Sequence, residues 1–197
     1  MINQQDPDGA TALDPDEMVG LKFPHIQTRG ELDQMEQVNI QDGLRWLSRQ
    51  KNINVLNDRF LRDLHRRLLG EVWSWAGMFR LTEKNIGVAP EQIAVSLRNL
   101  LDDVQYWIAH KSYNKQEVAL RFHHKLVQIH LFPNGNGRHA RIATDALLKA
   151  LGEQGINWGN SSLNSNNAYR QSYIESLREA DKGNHKPLLE KFIIIKK

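Results

Sequence analysis

The sequence predicts a mostly α-helical domain with one small β excursion. Three observations lead there. Apolar residues recur every three or four positions through most of the chain, the spacing of one helix face. Glycine and proline fall largely at the ends of those segments. Only "FRLTEKNIGVAP" (79–90) alternates like a strand, and it contains Gly87 and closes on Pro90.

Taken in order, residues 1–20 read as a loose tail rich in Asp, Pro and Gly. "ELDQMEQVNIQDGLRWLSRQ" (31–50) reads as a helix with a break at Gly43, within an N-terminal helical region over 21–56. Leu61, Leu64, Leu68 and Val72 mark the next helix, punctuated by Gly70 and Gly77. Segment 79–90 reads as a short hairpin or extended flap. Ile93, Leu97, Leu100, Leu101, Val104, Trp107 and Ile108 form the clearest amphipathic stripe in the chain. Val118, Phe122, Leu126 and Ile129 mark a helix running into residue 130, and Ile142, Ala146, Leu147 and Leu151 mark one running out of 141. Tyr169, Tyr173, Leu177 and Ala180 mark another, ended by Gly183, and a short helix follows Pro187.

The bulk numbers exclude several classes of protein. A chain of 197 residues with 40% hydrophobic and 25% charged residues is an ordinary globular domain. No run approaches the ~20 apolar residues of a membrane span. The N-terminus lacks the apolar core of a secretory signal. The absence of cysteine rules out disulfides and thiolate metal sites and suits a reducing, cytoplasmic setting. A net charge of +3 with no dense Lys/Arg run is compatible with phosphate-bearing ligands but carries no nucleic-acid signature.

Chemistry concentrates in "QIHLFPNGNGRHAR" (128–141). Gly135 and Gly137 lack a Cβ, can adopt positive φ and let a ligand approach the backbone. Successive amides in such a turn form an anion nest, and the helix that follows presents free N–H groups and its positive end. Arg138 and Arg141, three apart, share a face and can fork onto phosphate oxygens. His130, at the lip of the loop, can take a proton from an incoming hydroxyl near neutral pH. Phe132 reads as a buried anchor, and Asn136 either bonds a phosphate or braces the turn. Each feature alone is common: a histidine usually caps or packs, Asn-Gly usually marks a turn, and arginines on a helix face are usually solvated. Their combination is what signals a site.

The segment resembles the signature of the Fic/Doc (Fido) family: His, Pro, Phe, any residue, Asp or Glu, Gly, Asn, Gly, Arg, any two, Arg. This chain matches at His130, Phe132, Gly135, Asn136, Gly137, Arg138 and Arg141. At roughly one in twenty per position, seven matches arise by chance about once in 10^9 starts. "VWSWAGMFRLTEKNIGV" is similar to the flap region of such proteins, and "SYIESLREADKGNHKPLLEKF" to their C-terminal helices. As a whole the chain resembles the bacterial subgroup called mobile mystery protein B.

The resemblance implies an all-α core of about eight helices with a β-hairpin flap, and a Fic domain over 57–197. It implies an activity, transfer of AMP from ATP to a Ser, Thr or Tyr hydroxyl of a target protein, with His130 as general base. It assigns Phe132, Gly135, Asn136, Gly137, Arg138 and Arg141 to the nucleotide, and Mg²⁺ or Mn²⁺ to charge neutralisation. It makes Leu81, Thr82, Glu83, Lys84, Asn85, Ile86 and Gly87 a flap that aligns an extended, hydroxyl-bearing target segment by strand addition. The Doc branch, which transfers phosphate, has Lys in place of Gly137, so Gly137 favours nucleotidyl transfer.

Two motif positions depart from the family. Leu131 replaces Pro. Asn134 replaces the metal-binding Asp or Glu, and its neutral amide is a poorer Mg²⁺ ligand than a carboxylate. Many such proteins are held off by a helix bearing Ser or Thr, three residues, Glu, then Gly or Asn, whose glutamate pairs with the last arginine of the motif. That pattern is absent. Glu36 is the nearest candidate, with Leu32 where the hydroxyl would stand, and Glu31 comes second; for both, a surface helix glutamate is the plainer reading. A metal site on His123, His124, His130 and His139 is disfavoured without an adjacent carboxylate in register. Trp73 and Trp75 read as core, and Ser161, Ser162, Tyr169 and Tyr173 as structural more than self-modified hydroxyls. Two alternatives stay open: a nucleotide-binding regulator with little turnover, and a transferase using another nucleotide or a phosphate donor. An antitoxin or a second copy of the chain is left open as a partner.

Overall fold

The computed structural model describes residues 15–26, 28–159 and 168–192. Among them run eight α-helices: α1 (Pro15–Met18), α2 (Arg29–Ser48), α3 (Asp58–Leu69), α4 (Ile93–Ala109), α5 (Lys115–Ile129), α6 (Asn136–Ala150), α7 (Ala168–Asp181) and α8 (Lys186–Phe192). A 3-10 turn, Pro90–Gln92, leads into α4. Ser161 and Ser162 lie outside the described residues.

Local chemistry sets the helix starts. Thr28 and Glu31 form a reciprocal capping box on α2. Glu31 is thereby accounted for as a cap, on the exposed side of its helix. Asn57 and Asn114 cap α3 and α5 by accepting from Phe60 and Glu117 amides. α5 occupies the centre, packing against α4, α6, α7 and α8. One face of α5, with Val118, Phe122 and Leu126, joins the main core built from α2, α3, α4 and α6. Leu120 faces a second cluster with Trp158, Tyr173, Leu177, Leu188 and Phe192.

Three expectations change. Gly43 does not break its helix: α2 runs through it, and the missing side chain lets α3 come close. A Cβ there would stand 2.7 Å from the Arg67 carbonyl and 2.9 Å from Leu68 Cδ2. Buried Asn39 ties the same contact, donating to the Arg67 carbonyl at 3.1 Å and accepting from the Glu71 amide at 2.9 Å.

Residues 15–20 are not loose. The Glu17 carbonyl accepts from Trp75 Nε1 at 2.9 Å, the Gly20 carbonyl accepts from the Ser74 amide at 2.8 Å, and Leu21 bridges Trp73. The rest of the expected tail, 1–14, lies outside the described residues.

The flap is no β-hairpin. Among the described residues, 79–89 form no strand. The reason is Arg80, whose guanidinium takes the carbonyls of Thr82 and Val88 that a cross-strand ladder would need.

Close helix approach at Gly43 predicts a position-specific cost. Gly43→Leu should lower stability by about 1–3 kcal/mol through overpacking against the α3 backbone. Gly30→Ala, in the same helix with nothing within 4 Å of the added Cβ, should raise it by up to about 1 kcal/mol. Urea denaturation of both variants checks the pair; a neutral Gly43→Leu would contradict the packing.

Candidate active site

α5 ends where the site begins. His130 is its C-cap and sits in the left-handed region at φ 58°, ψ 67°. A non-glycine residue there costs on the order of 1 kcal/mol, so something must hold it. Arg80 does. Its Nε donates to the His130 carbonyl at 2.7 Å, its backbone N–H to the Leu131 carbonyl at 3.0 Å, and its Nη2 to the Ile129 and Val88 carbonyls. Arg80 is only 1% exposed, and its charge sits at the negative end of α5. His130 is itself buried. Burial first, then the Arg80 cation and more weakly Lys84, push its pKa down to about 4 against an opposing bond to the Val127 backbone. The ring is therefore neutral at pH 7.

The loop after His130 folds inward before it opens. Leu131 and Phe132 are 1% and 0% exposed. Phe132 lies in the core, the buried anchor its sequence context suggests and not the nucleotide contact the resemblance implies, stacked on the His65 ring with centroids 3.7 Å apart. The Asn136 side chain spends both its groups on Phe132, accepting from the amide at 2.9 Å and donating to the carbonyl at 2.7 Å. Of its two expected uses, the structure has it bracing the turn. Gly135 caps α6 at φ 77°, as a positive-φ turn requires, and a Cβ on it would meet Leu69 and His65. Gly137 departs from expectation. It lies in the first turn of α6 and is not among the positive-φ glycines; its value is open space, since an added Cβ would find only Arg141 Nη1, at 3.9 Å.

His65 was not anticipated as part of the site. Its Nδ1 accepts from the Gly77 amide at 2.9 Å, and its Nε2 donates to the Asn134 carbonyl at 3.0 Å. Burial, then the neighbouring His139, pushes its pKa well below the ordinary value. The signal in the sequence was a titratable residue on the apolar face of α3, between Leu61, Leu64 and Leu68.

The two arginines are engaged from opposite sides. Arg138 pairs with Glu36 of α2 at 2.5 Å, and the other oxygen of Glu36 accepts from Trp73 Nε1 at 2.7 Å. Glu36 is 3% exposed, so it is not a surface glutamate, and it meets the first arginine of the motif rather than the last. Arg141 donates to the Tyr173 hydroxyl of α7, which in turn bonds His123 Nε2 at 2.8 Å. Tyr173 is thus a structural hydroxyl, as Trp73 is core, stacked on Trp75 at 4.9 Å.

The donors present do not fit a divalent cation. Asn134 turns its Oδ1 back onto the Gly135 amide at 2.5 Å. Among the described residues no three His, Asp or Glu side chains converge to hold a metal. The flap is likewise committed in part: Lys84, with a side chain 3% exposed, pairs with Glu17 at 2.5 Å, and Thr82 donates to Glu17 at 3.0 Å. Leu81 and Ile86 stand out from it, 86% and 44% exposed. No helix among the described residues is long and apolar enough to cross a membrane.

Comparison with known proteins adds to this geometry. Residues 55–148 match the Fic/DOC family. The chain is 28% identical over 169 residues to a protein adenylyltransferase Fic of Nematostella vectensis, covering 80% of this chain and 37% of that protein. It therefore spans well under half the length of that relative. Among solved structures it is similar to the N-terminal Fic domain of a putative cell filamentation protein from Bartonella quintana (TM-score 0.69, 19% identity, 85% of this chain and 83% of that one). It is also similar to BepC of Bartonella tribocorum with bound AMPPNP (TM-score 0.67, 19% identity, 93% and 91%). At these identities the structural likeness shows the shared all-α fold.

Buried neutral histidines make stability fall with acid. His123 titrates at about 3 and His130 and His139 at about 4, all lowered first by burial, and His65 is lowered too. Unfolded, each takes up a proton near pH 6.5; folded, each stays neutral until near its lowered value. The unfolded state thus binds more protons between pH 6.5 and 4, and stability drops as pH falls through that window. His123, His130 and His139 should each cost on the order of 1–2 kcal/mol of stability between pH 7 and 5, and His65 acts in the same direction. Urea midpoints at pH 7, 6 and 5 should decline steadily; a flat series would contradict it.

Proposed function

Because residues 55–148 form a Fic/DOC-family domain, we propose that the chain transfers AMP from ATP to a Ser, Thr or Tyr hydroxyl of a protein. One observation carries the reading: a buried, neutral His130 stands at the rim of a loop that opens onto the N-terminus of α6, with Arg138 and Arg141 in its first two turns. The relative named a protein adenylyltransferase supports it, and so does the structural neighbour bound to AMPPNP.

In this reading the α6 amides and the two arginines take the triphosphate, and the exposed side of the flap aligns the target segment. The hydroxyl oxygen attacks the α-phosphorus as the bond to pyrophosphate breaks. Its proton passes to the His130 imidazole, and pyrophosphate leaves with its charge against the guanidiniums. Positioning and charge neutralisation supply the rate. Mg²⁺ is left to the nucleotide's own phosphates, because Asn134 offers only an engaged amide. The absence of cysteine suits a reducing cytoplasm.

A second reading has its own support. Glu36 already occupies Arg138 and Asn134 already occupies the Gly135 amide, so the resting site is closed to an anion by its own chain. We propose that Glu36 restrains the site by holding Arg138 from the phosphates. Were that restraint permanent, the chain would be a nucleotide-binding regulator; an antitoxin or a second copy could share the control.

Incubation with α- and γ-labelled ATP, and with labelled UTP and GTP, separates these readings. Label on protein from α-labelled ATP is expected, with none from His130→Ala, which should still bind ATP. Label only from the γ position, or full activity in His130→Ala, would remove AMP transfer with this base. Nucleotide binding with no label at all favours the regulator.

Glu36→Gln keeps an oxygen for Trp73 but drops the charge on Arg138. It should raise self-labelling at least about fivefold, the range of a lost coupling of about 1 kcal/mol. An unchanged rate would refute the restraint.

A further inference from the structure

His65 belongs to α3, outside segment 128–141, and no step above uses it. Its ring is 0% exposed, wedged between the turn at Gly77 and the loop at Asn134. Its two partners leave one tautomer. The Gly77 N–H can only donate, so Nδ1 carries the lone pair; the Asn134 carbonyl can only accept, so Nε2 carries the proton. Phe132 stacked on one face at 3.7 Å and His139 at the edge at 5.7 Å hold the plane of the ring.

What this does to the loop follows from the peptide bond. The Asn134 carbonyl and the Gly135 N–H belong to one trans peptide unit and point in opposite directions. With the carbonyl drawn toward α3 by His65, the N–H is turned the other way, where Asn134 Oδ1 reaches it at 2.5 Å. A flipped peptide would aim the carbonyl's partial negative charge at the N-terminus of α6, the end that favours an anion.

We propose that His65 is a positioning residue that fixes the 134–135 peptide with its N–H toward the phosphates of a bound nucleoside di- or triphosphate. Asn134 Oδ1 occupies the phosphate oxygen's place until the nucleotide arrives. The inference rests on the nucleotide-binding part of the reading above, and it does not need the transfer step. It also joins two grips: the ring that sets the phosphate loop is anchored on Gly77, three residues before Arg80, which holds the flap and His130.

Calorimetric titration of the full chain with ADP and with adenosine tests it. His65→Phe keeps a ring against Phe132 and removes both polar contacts. Its ADP dissociation constant should rise about tenfold or more, while adenosine changes by less than about twofold. His65→Gln can accept from Gly77 and donate to Asn134, and should bind ADP within about threefold of the wild type. Unchanged ADP binding in His65→Phe overturns the proposal. So does an equal loss for adenosine, the mark of a merely structural residue, and so does a tenfold loss in His65→Gln. If His65→Phe does not fold, His65→Gln decides by the same limits. A wild type that binds no ADP sinks both this inference and the transferase reading. A wild type that binds ADP but transfers no AMP, with the variants as expected, removes only the transfer.

Discussion

A buried guanidinium organises this molecule. Arg80 reaches the carbonyls of Thr82, Val88, Ile129 and His130 from one 1%-exposed side chain. A charge so buried is tolerable only with its donors satisfied, and here carbonyl dipoles at the end of α5 satisfy them. That requirement fixes three things together. It ends α5 in a left-handed residue, it holds the His130 carbonyl, and it gathers the flap into a loop folded around the guanidinium in place of a hairpin.

The site is assembled on similar terms, with polar groups already engaged. Asn136 is spent on Phe132, His65 on Gly77 and Asn134, Arg138 on Glu36, and Arg141 on Tyr173. Such a network holds its members in place, and in the buried interior each bond is expensive to leave unmade. A ligand entering here must exchange partners rather than fill a void. The open space at Gly137 and the exposed part of Arg138 are where that exchange can start.

Much of the fold was legible from the sequence. The apolar stripes at Leu61, Leu64 and Leu68, and at Ile93, Leu97, Leu100 and Val104, are the buried faces of α3 and α4. Gly135 capping a helix could be read from the turn chemistry. The errors share a cause. Gly43 reads as a break because propensity is local, whereas its role is to admit the backbone of α3, which begins fifteen residues later. The flap reads as a strand because alternation is local, whereas Arg80 takes its carbonyls. The resemblance puts Phe132 and Asn136 among the nucleotide contacts because it records membership of a motif, whereas the fold turns both inward, as the buried-anchor and turn-bracing readings of the residues themselves had it.

By itself the sequence determined the helical class, the place of the glycine turn before α6 and the residue types gathered there. All of these depend on spacing along one chain. Tertiary structure decided which groups are neutral, which are occupied and which face the opening, because burial and pairing join residues distant in sequence. Glu36 meets Arg138, Glu17 meets Lys84, and His65 meets Asn134 only after the helices pack. No periodicity records those meetings, since a side chain's charge and reach do not say which distant partner will stand within 3 Å.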